Sequence, residues 1–548
     1  MKRFAAVGIV VAMVALSVRA QEAQLGRVEF PTSGSKEAQA HFLRGLAALH
    51  SFWYEEALDA FRESTKVDPD FAMGYWGEAM TYNHPLWSEQ DINPARAALM
   101  KIKDTAKMTD RERAYVDAVR ALYGQGDKAG RDAAYSAAME KIYLAYPDDL
   151  DAAAFYSLSL LGMASGTKGY RLQAKAGAIA LDVYQKNPNH PGAAHYIIHA
   201  FDDPDHAILA LPAARRYASI APEAHHARHM PSHIFLQLGM WPEAAASNES
   251  AWESSDAWMK RKNLSVSVRD YHSLHWLLYV YLQQGRYNEA EKLLNLMKKV
   301  MSESTYDNKL RPGYYENNYA NMAAAFVIET ERWNLANELF PESKTTNTSA
   351  QAAMSGSHGS HDQMTASGAT YRTSSASVTL PFFVRGLAAA VSGSVTEPSI
   401  AGLQETRASG EIFALEIGAL KASMNKDHGR AIELMKQATA LEEAMSPPSG
   451  PPGLIKPSHE LYGEILLRAD KPREAAEQFK IALLRQPNRA RSLLGAARAA
   501  AQTGNQSGAL TAYTALLDQW KQADSNLSEL REARDYTKST KEQKAQKD

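Results

Sequence analysis

The sequence feature that most limits the fold is a residue pattern with helical spacing that returns about every 34 residues. Each copy places a small residue in one predicted helix, then Ala and an aromatic residue in the next helix, and Pro at the exit. An early copy contains Gly45, Ala57, Phe61 and Pro69, and a late copy contains Ala475, Phe479, Ala482 and Pro487. Small residues let paired helices approach closely, and aromatic residues fill the space between pairs. The pattern predicts an all-α array of antiparallel helix pairs whose core grows lengthwise.

This pattern resembles the tetratricopeptide repeat (TPR), as found in exported bacterial TPR proteins. The resemblance implies a right-handed superhelical solenoid in which the first helix of each pair lines a concave groove. It also implies that the groove binds a peptide or a partner protein. We expect helix pairs at 38–71, 72–105, 109–146, 150–188, 191–224, 225–258, 271–304, 317–342, 380–395 with 403–410, 412–445, 456–489 and 490–523.

The first twenty residues have the composition of a secretory signal peptide. Lys2 and Arg3 precede the apolar run 4–18, and Val18-Arg19-Ala20 is a small-x-small cleavage site. The run is shorter than the about 20 apolar residues that span a bilayer. We therefore expect an exported protein, periplasmic or secreted, that has no stable membrane anchor.

Composition excludes several classes of function. The chain contains no cysteine, which excludes disulfides and thiolate metal ligands, and its formal net charge is only −2. No cluster of Lys and Arg suggests nucleic-acid binding. The sequence also lacks a phosphate-binding Walker A loop, a dinucleotide glycine motif and a GxSxG elbow.

Two segments fall outside the repeats. Residues 343–379 are rich in Ser, Thr, Ala and Gly with few large apolar residues, which predicts a flexible linker. The end of the chain is polar and charged, which predicts a frayed tail. The expected domains are a signal peptide (1–20), an N-terminal TPR array (21–342), the linker (343–379), a C-terminal TPR array (380–523) and the tail (524–548).

Histidines are concentrated in three consecutive repeats. His195 and His229 lie 34 positions apart, as do His199 and His233, so each pair occupies one position in successive repeats. Slots two, five and nine of a TPR unit face the groove, as the resemblance implies. Seven of the nine such slots in these three repeats hold histidine, namely 195, 199, 226, 229, 233, 272 and 275. At background frequency fewer than one would be expected.

This arrangement favours a transition-metal site. Residues four apart share a helix face, and packed helices lie about 8–10 Å apart, so imidazoles from two helices can converge. Neutral imidazole suits Cu, Zn and Fe, and the sequence does not choose among them. The candidate ligands are His195, His199, His229 and His233, with Asp202 or Asp203 and with His272 or His275. An open coordination position would permit metalloenzyme chemistry.

Other interpretations remain open at this stage. The histidines could instead line a polar groove that binds an acidic peptide, form a pH-sensing surface, or simply pack. The alternative function is then a peptide-binding or protein-binding scaffold of the cell envelope without catalysis. Met230-Pro231 lies inside the second histidine pair, and Pro is tolerated only in the first turn of a helix. We therefore expect a helix to start or kink near His229.

Overall fold

A computed structural model describes residues 24–103, 107–164, 169–303, 313–341, 376–393, 408–451 and 453–545. The predicted signal peptide and nearly all of the predicted linker lie outside these residues. The described residues form two compact units. The first contains the residues up to Asp202 together with His206–Ile234, and the second contains Asp203–Asp205 and the residues from Phe235 onward.

The first unit is built from short antiparallel helices. They are α1 (Lys36–His50), α2 (Tyr54–Val67), α3 (Ala72–Met80), α4 (Ile92–Leu99), α5 (Asp110–Leu122), α6 (Lys128–Ala145), α7 (Leu150–Ala164), α8 (Arg171–Lys186), α9 (Pro191–Ala200), α10 (Ala207–Ile220), α11 (His225–His229) and α12 (Pro231–Gln237), and the unit boundary falls within α12. Between α3 and α4 the chain makes a small antiparallel hairpin of β1 (Asn83–His84) and β2 (Glu89–Gln90). This hairpin, with a 3-10 turn at Pro85–Trp87, was not predicted.

The second unit continues with longer helices. They are α13 (Trp241–Lys262), α14 (Tyr271–Gln283), α15 (Tyr287–Met301), α16 (Tyr314–Thr330), α17 (Ala336–Leu339), α18 (Ala376–Ser392), α19 (Ala408–Met424), α20 (His428–Glu443), α21 (Ser458–Arg468), α22 (Pro472–Arg485), α23 (Ala490–Gln502), α24 (Gln506–Gln519) and α25 (Ser528–Ala545). Short 3-10 turns lie at Val266–Val268 and Trp333–Leu335. Among the described helices, none is both long enough and apolar enough to cross a membrane.

Sequential helices pack against each other in both units, as the repeat pattern predicts. The small and aromatic residues of the pattern are in direct contact. A Cβ added at Gly45 would lie 2.8 Å from the ring of Phe61, and one added at Gly463 would lie 2.7 Å from the ring of Phe479. Both aromatic rings are fully buried. The all-α, TPR-like arrangement of antiparallel helix pairs is therefore confirmed.

The compact units differ from the predicted division at the linker. Arg489, from the predicted C-terminal array, donates to the Tyr279 hydroxyl at 2.9 Å and forms an ion pair with Glu329 at 2.5 Å. Both partners belong to the predicted N-terminal array, but all three residues belong to the second unit. Helix α18 also begins at Ala376, inside the segment assigned to the linker. The flexibility of the linker stays a prediction.

The C-terminal segment corrects the expectation of a frayed tail. Residues 528–545 form α25, in which Leu530 and Ala533 are buried. Glu532 on the same helix pairs with Arg498 at 2.7 Å and accepts a hydrogen bond from Tyr513 at 2.6 Å. The few apolar residues of this polar segment lie on one helix face, and overall polarity concealed that periodicity.

Candidate metal centre

Helix α9 brings two of the predicted histidines together. It begins at Pro191, whose missing N–H is no loss in a first turn, and His190 caps it by accepting the Ala193 N–H at Nδ1 (3.2 Å). His195 and His199 then lie one turn apart on one face. Their Nε2 atoms are 3.1 Å from each other.

The helix that carries the second histidine pair, His229 and His233, is broken next to Pro231, as predicted. Helix α11 ends at His229, Met230 follows, and α12 starts at Pro231. His226 and His229 therefore lie on α11 and His233 lies on α12. The expected break near His229 is confirmed, since Pro cannot donate the backbone hydrogen bond that a continuous helix needs.

Three imidazoles form the first group, which we call the His195 cluster: His195, His199 and His226. The Nε2 atom of His195 lies 3.1 Å from that of His199 and 3.2 Å from that of His226. Ligand atoms of all three residues lie within 4.8 Å of one another. Helices α9 and α11 thus direct three ring nitrogens to one point in the first unit.

The tautomer of His195 is set by the backbone. Its Nδ1 lies 2.7 Å from the carbonyl oxygen of His50, and a carbonyl only accepts, so Nδ1 carries the proton. The lone pair of His195 is therefore on Nε2, facing the other two rings. Burial lowers the pKa of His195 well below its usual value, and the neighbouring His199 lowers it further. The ring is neutral at neutral pH, which is the state that binds metal.

The spacing matches that of ligands around one ion. With a metal–nitrogen distance of about 2.0–2.1 Å and tetrahedral angles, two ligand nitrogens lie about 3.3 Å apart. The observed separations of 3.1 and 3.2 Å are close to that value. One lone pair on His195 cannot accept well-aligned hydrogen bonds from two neighbouring rings at once. A cation between the three nitrogens would resolve this crowding.

A second group, which we call the His229 pair, consists of His229 and His233. Their Nε2 atoms are 3.1 Å apart. The Nδ1 of His233 lies 2.6 Å from a carboxylate oxygen of Asp202, which accepts its proton. A carboxylate that holds the far nitrogen of a histidine fixes the ring orientation and increases the basicity of the other nitrogen. The predicted acidic residue Asp202 therefore contacts one of the predicted histidines.

Aromatic side chains cover the His195 cluster. The ring centroid of Phe52 lies 4.2 Å from that of His195 and 5.7 Å from that of His226, and Trp87 lies 6.2 Å from His226. Phe52 adopts φ of 53°, in the left-handed region that is unfavourable for a bulky side chain. With this conformation, in the turn between α1 and α2, the ring lies against the histidines. The cluster is therefore in an apolar environment of low dielectric constant.

The structure also reveals a buried polar network that the sequence did not predict. Asp151 Oδ1 lies 2.8 Å from His50 Nε2 and 3.3 Å from His190 Nε2. The other nitrogen of His50, Nδ1, accepts from the Tyr196 hydroxyl at 2.9 Å. Burial would raise the pKa of the Asp151 carboxyl, but the contacts with His190 and His50 hold it well below its usual range. Burial lowers the pKa of His50, so the carboxylate is charged beside a neutral ring.

This network supports the His195 cluster better than it would hold a metal itself. Nδ1 of His190 accepts the Ala193 N–H, so its proton is on Nε2, the atom facing Asp151. A metal ligand would need a lone pair there. Asp151 instead fixes the ring of His50, whose carbonyl oxygen fixes the tautomer of His195. Asp151 is thus a positioning residue.

The remaining predicted residues lie in the second unit. Asp203 accepts the backbone N–H of Asp205 at 2.9 Å, as in a helix-ending turn. His272 and His275 lie on α14, as predicted from the repeat. Burial of its ring and the neighbouring His272 lower the pKa of His275 to about 3. Tyr279 on the same helix accepts a hydrogen bond from Arg489.

Asp151→Asn should lower the free energy of unfolding of the metal-free protein by about 1–3 kcal/mol, the usual penalty for an unsatisfied buried polar group. Asp151 Oδ2 is buried without a hydrogen-bond partner among the described residues, so the amide N–H₂ of Asn would find no acceptor there. Chemical denaturation measures the change. The exposed Asp148→Asn is the control, with a change within about 0.5 kcal/mol. Equal stability of the two variants would contradict a structural role for the network.

Fold and site together define a TPR-like helical repeat protein with a buried, histidine-rich centre. No protein-family model and no curated protein matches the sequence. The human IFIT1 dimer with m7Gppp-AAAA has a TM-score of 0.36 at 13% identity, covering 92% of this chain and 94% of that one. Yeast Tom70 has a TM-score of 0.35 at 11% identity, covering 93% and 96%. The Naa15/Naa10 structure with HypK-THB has a TM-score of 0.24 at 12% identity, covering 92% and 75%.

Proposed function

We propose that the first unit binds a transition-metal ion through the Nε2 atoms of His195, His199 and His226. The observation that carries the proposal is the convergence of three ring nitrogens within 4.8 Å of one another. The His50 carbonyl holds the only proton of neutral His195 on the opposite side of its ring. Packing alone would not require two helices to aim three imidazole nitrogens at one point.

The donor set limits the metal and its chemistry. Three neutral nitrogens without thiolate suit Zn, Cu or Fe rather than Mg or Ca, which prefer oxygen. Three protein ligands leave one position for water or a substrate, as in catalytic zinc sites. The apolar cover of Phe52 strengthens electrostatic interactions at that position. The site is therefore suited to a metalloenzyme as well as to metal storage or transport.

The proposed compartment is outside the cytoplasm. Its support is the Lys2-Arg3 start, the short apolar run and the small-x-small site ending at Ala20. A cysteine-free chain keeps the same covalent structure in oxidising surroundings. N-terminal sequencing of the protein recovered from its native host should find a mature chain starting near Gln21.

Elemental analysis tests metal binding directly. Protein purified from its native compartment without chelators or an affinity tag should contain at least one equivalent of Zn, Cu or Fe per chain. Adding that metal to stripped protein should raise its melting temperature. At a hundredfold excess of metal over the dissociation constant, the free energy of unfolding should increase by about 2.7 kcal/mol. Purified protein that contains no transition metal and shows no thermal shift with any of the three would refute the proposal.

A second candidate function, partner binding, is supported by a groove in the second unit. A cavity of about 240 Å³ there is lined by apolar side chains, including Leu387 and Leu420, and by charged side chains, including Lys456, Glu464 and Arg468. Such mixed surfaces bind peptides that carry both apolar and charged side chains. Peptide selection against stripped protein tests it. Selected peptides should lose affinity for Leu420→Glu and keep it for His195→Ala.

A further inference from the structure

We propose that the first unit holds two metal ions, the second of them bound by His229 and His233. This inference rests on the proposed metal function, because it assumes that the His195 cluster binds the first ion. It goes beyond a single site, since the predicted histidines were expected to converge on one ion. The structure instead arranges five imidazoles of the first unit in two adjacent groups, the His195 cluster and the His229 pair.

The number of imidazoles is the first argument. A tetrahedral ion takes four ligands, so one ion cannot use all five rings. The Nε2 atom of His195 lies 3.1 and 3.2 Å from those of His199 and His226, and the Nε2 atoms of the His229 pair are 3.1 Å apart, as ligands of one ion are. The ring centroids of these three pairs are 4.8–5.0 Å apart. Between the groups, the ring centroids of His199 and His233 are 5.6 Å apart, and those of His226 and His229 are 5.9 Å apart. The groups are therefore neighbours, and each has its own point of convergence.

The carboxylate of Asp202 orients the ring of His233. Asp202 accepts the Nδ1 proton of His233 at 2.6 Å, which leaves the lone pair of the neutral ring on Nε2, facing His229. Histidine ligands of metals almost always donate their other N–H to a carboxylate, a carbonyl or a water. In the His195 cluster a carbonyl oxygen has that role, and in the His229 pair a carboxylate has it. Both groups thus contain a ring held in the metal-binding tautomer.

The competing interpretation is an ion pair without metal. Asp202 and a protonated His233 would attract each other, and the Nε2–H of His233 would donate to His229. This arrangement satisfies the same distances and predicts no second ion.

If the second ion is present, it has only two protein nitrogens as ligands and leaves more positions to water or a bridging oxygen ligand than the first ion does. The second ion should therefore bind more weakly than the first. The two interpretations therefore differ in stoichiometry.

Calorimetric titration of stripped full-length protein with Zn²⁺ separates the possibilities, with bound metal counted by elemental analysis after dialysis. The wild type should bind two ions in two steps. His233→Ala should keep only the tight step. Asp202→Asn should weaken the second step by about 10–100-fold, the usual effect of losing a group that orients a ligand, and leave the first step unchanged. The exposed Asp205→Asn is the matched control and should titrate like the wild type.

The outcomes of these titrations distinguish failure of the proposed metal function from failure of the second ion alone. No binding by the wild type would overturn both the proposed function and this inference. One ion per wild-type chain would overturn only the inference of a second ion. Loss of all binding in His233→Ala would also overturn it, because such a loss means that His233 and the His195 cluster share one site. Circular dichroism and denaturation of each variant show whether it is folded. If His233→Ala does not fold, Asp202→Asn decides, since equal weakening of both steps would also contradict a separate second ion.

Discussion

Replacing His195 with Ala should reduce the affinity of the protein for its tight metal ion by more than a hundredfold. His195 is the central ligand of its cluster, because its Nε2 lies 3.1 Å from that of His199 and 3.2 Å from that of His226. Loss of a residue that only orients a ligand already costs about 10–100-fold in affinity, and loss of a ligand exceeds that. Competition with a chromophoric chelator measures the dissociation constant.

The control must separate ligation from packing, because His195 is fully buried against Phe52 and Tyr217. His195→Gln retains much of the volume and should lose metal as His195→Ala does, with a smaller loss of stability in the metal-free protein. His41→Ala, a partly exposed histidine of α1, should bind metal normally. The double variant His195→Ala/His226→Ala should bind little worse than either single variant, since residues that share an ion are not additive. Additive losses would show that the two rings act independently.

Replacing Arg489 with Met should lower the free energy of unfolding by about 3–5 kcal/mol, as expected when one partner of a buried ion pair is removed. Arg489 is fully buried and contacts Glu460 at 2.7 Å and Glu329 at 2.5 Å. Both carboxylates are also buried, so the variant leaves them without their main cation. Chemical denaturation followed by far-UV circular dichroism measures the loss. Arg498→Met is the control, because its partly exposed ion pair with Glu532 contributes at most about 1 kcal/mol.

The deficit of Arg489→Met should depend on pH. Burial would raise the pKa of Glu460, but Arg489 and Lys456 outweigh it and hold that pKa far below its usual value. A glutamate whose pKa is lowered by folding stabilises the folded protein at pH values above its pKa in the unfolded chain, about 4.3. That stabilisation is lost progressively as the pH falls below this value. Without Arg489 the carboxylate gains less from being charged, so wild type and variant should converge in stability below about pH 4. A deficit that is constant from pH 7 to pH 3 would show that lost packing, rather than charge, is responsible.

Local periodicity was sufficient to predict the helices and the histidine pairs. The separation of four positions between His195 and His199, and between His229 and His233, places each pair on one side of its segment. The repeat spacing predicted that these segments are equivalent positions of successive repeats. Pro231 predicted the break between α11 and α12, because the backbone of proline has the same effect in any sequence.

Contacts between residues far apart in the sequence could not be predicted from local periodicity. His50, Asp151 and His190 come from segments as far as 140 positions apart and share no motif. A search for buried acidic residues in predicted helices would have found Asp151 at the start of α7, but not its partners. The contacts of Arg489 could not be predicted for a similar reason. Arg489 joins Tyr279 and Glu329 through contacts that span more than 150 positions.

The sequence by itself determined that this chain is an all-α repeat array and which of its helices carry the histidines, because helix periodicity and repeat spacing are local properties. Only the tertiary structure decided which imidazoles meet. It grouped His226 with His195 and His199, left His229 with His233, and placed the His50 carbonyl against the ring of His195. Those choices depend on how packed helices rotate and shift by a few ångströms, and side-chain packing across the whole unit sets those displacements.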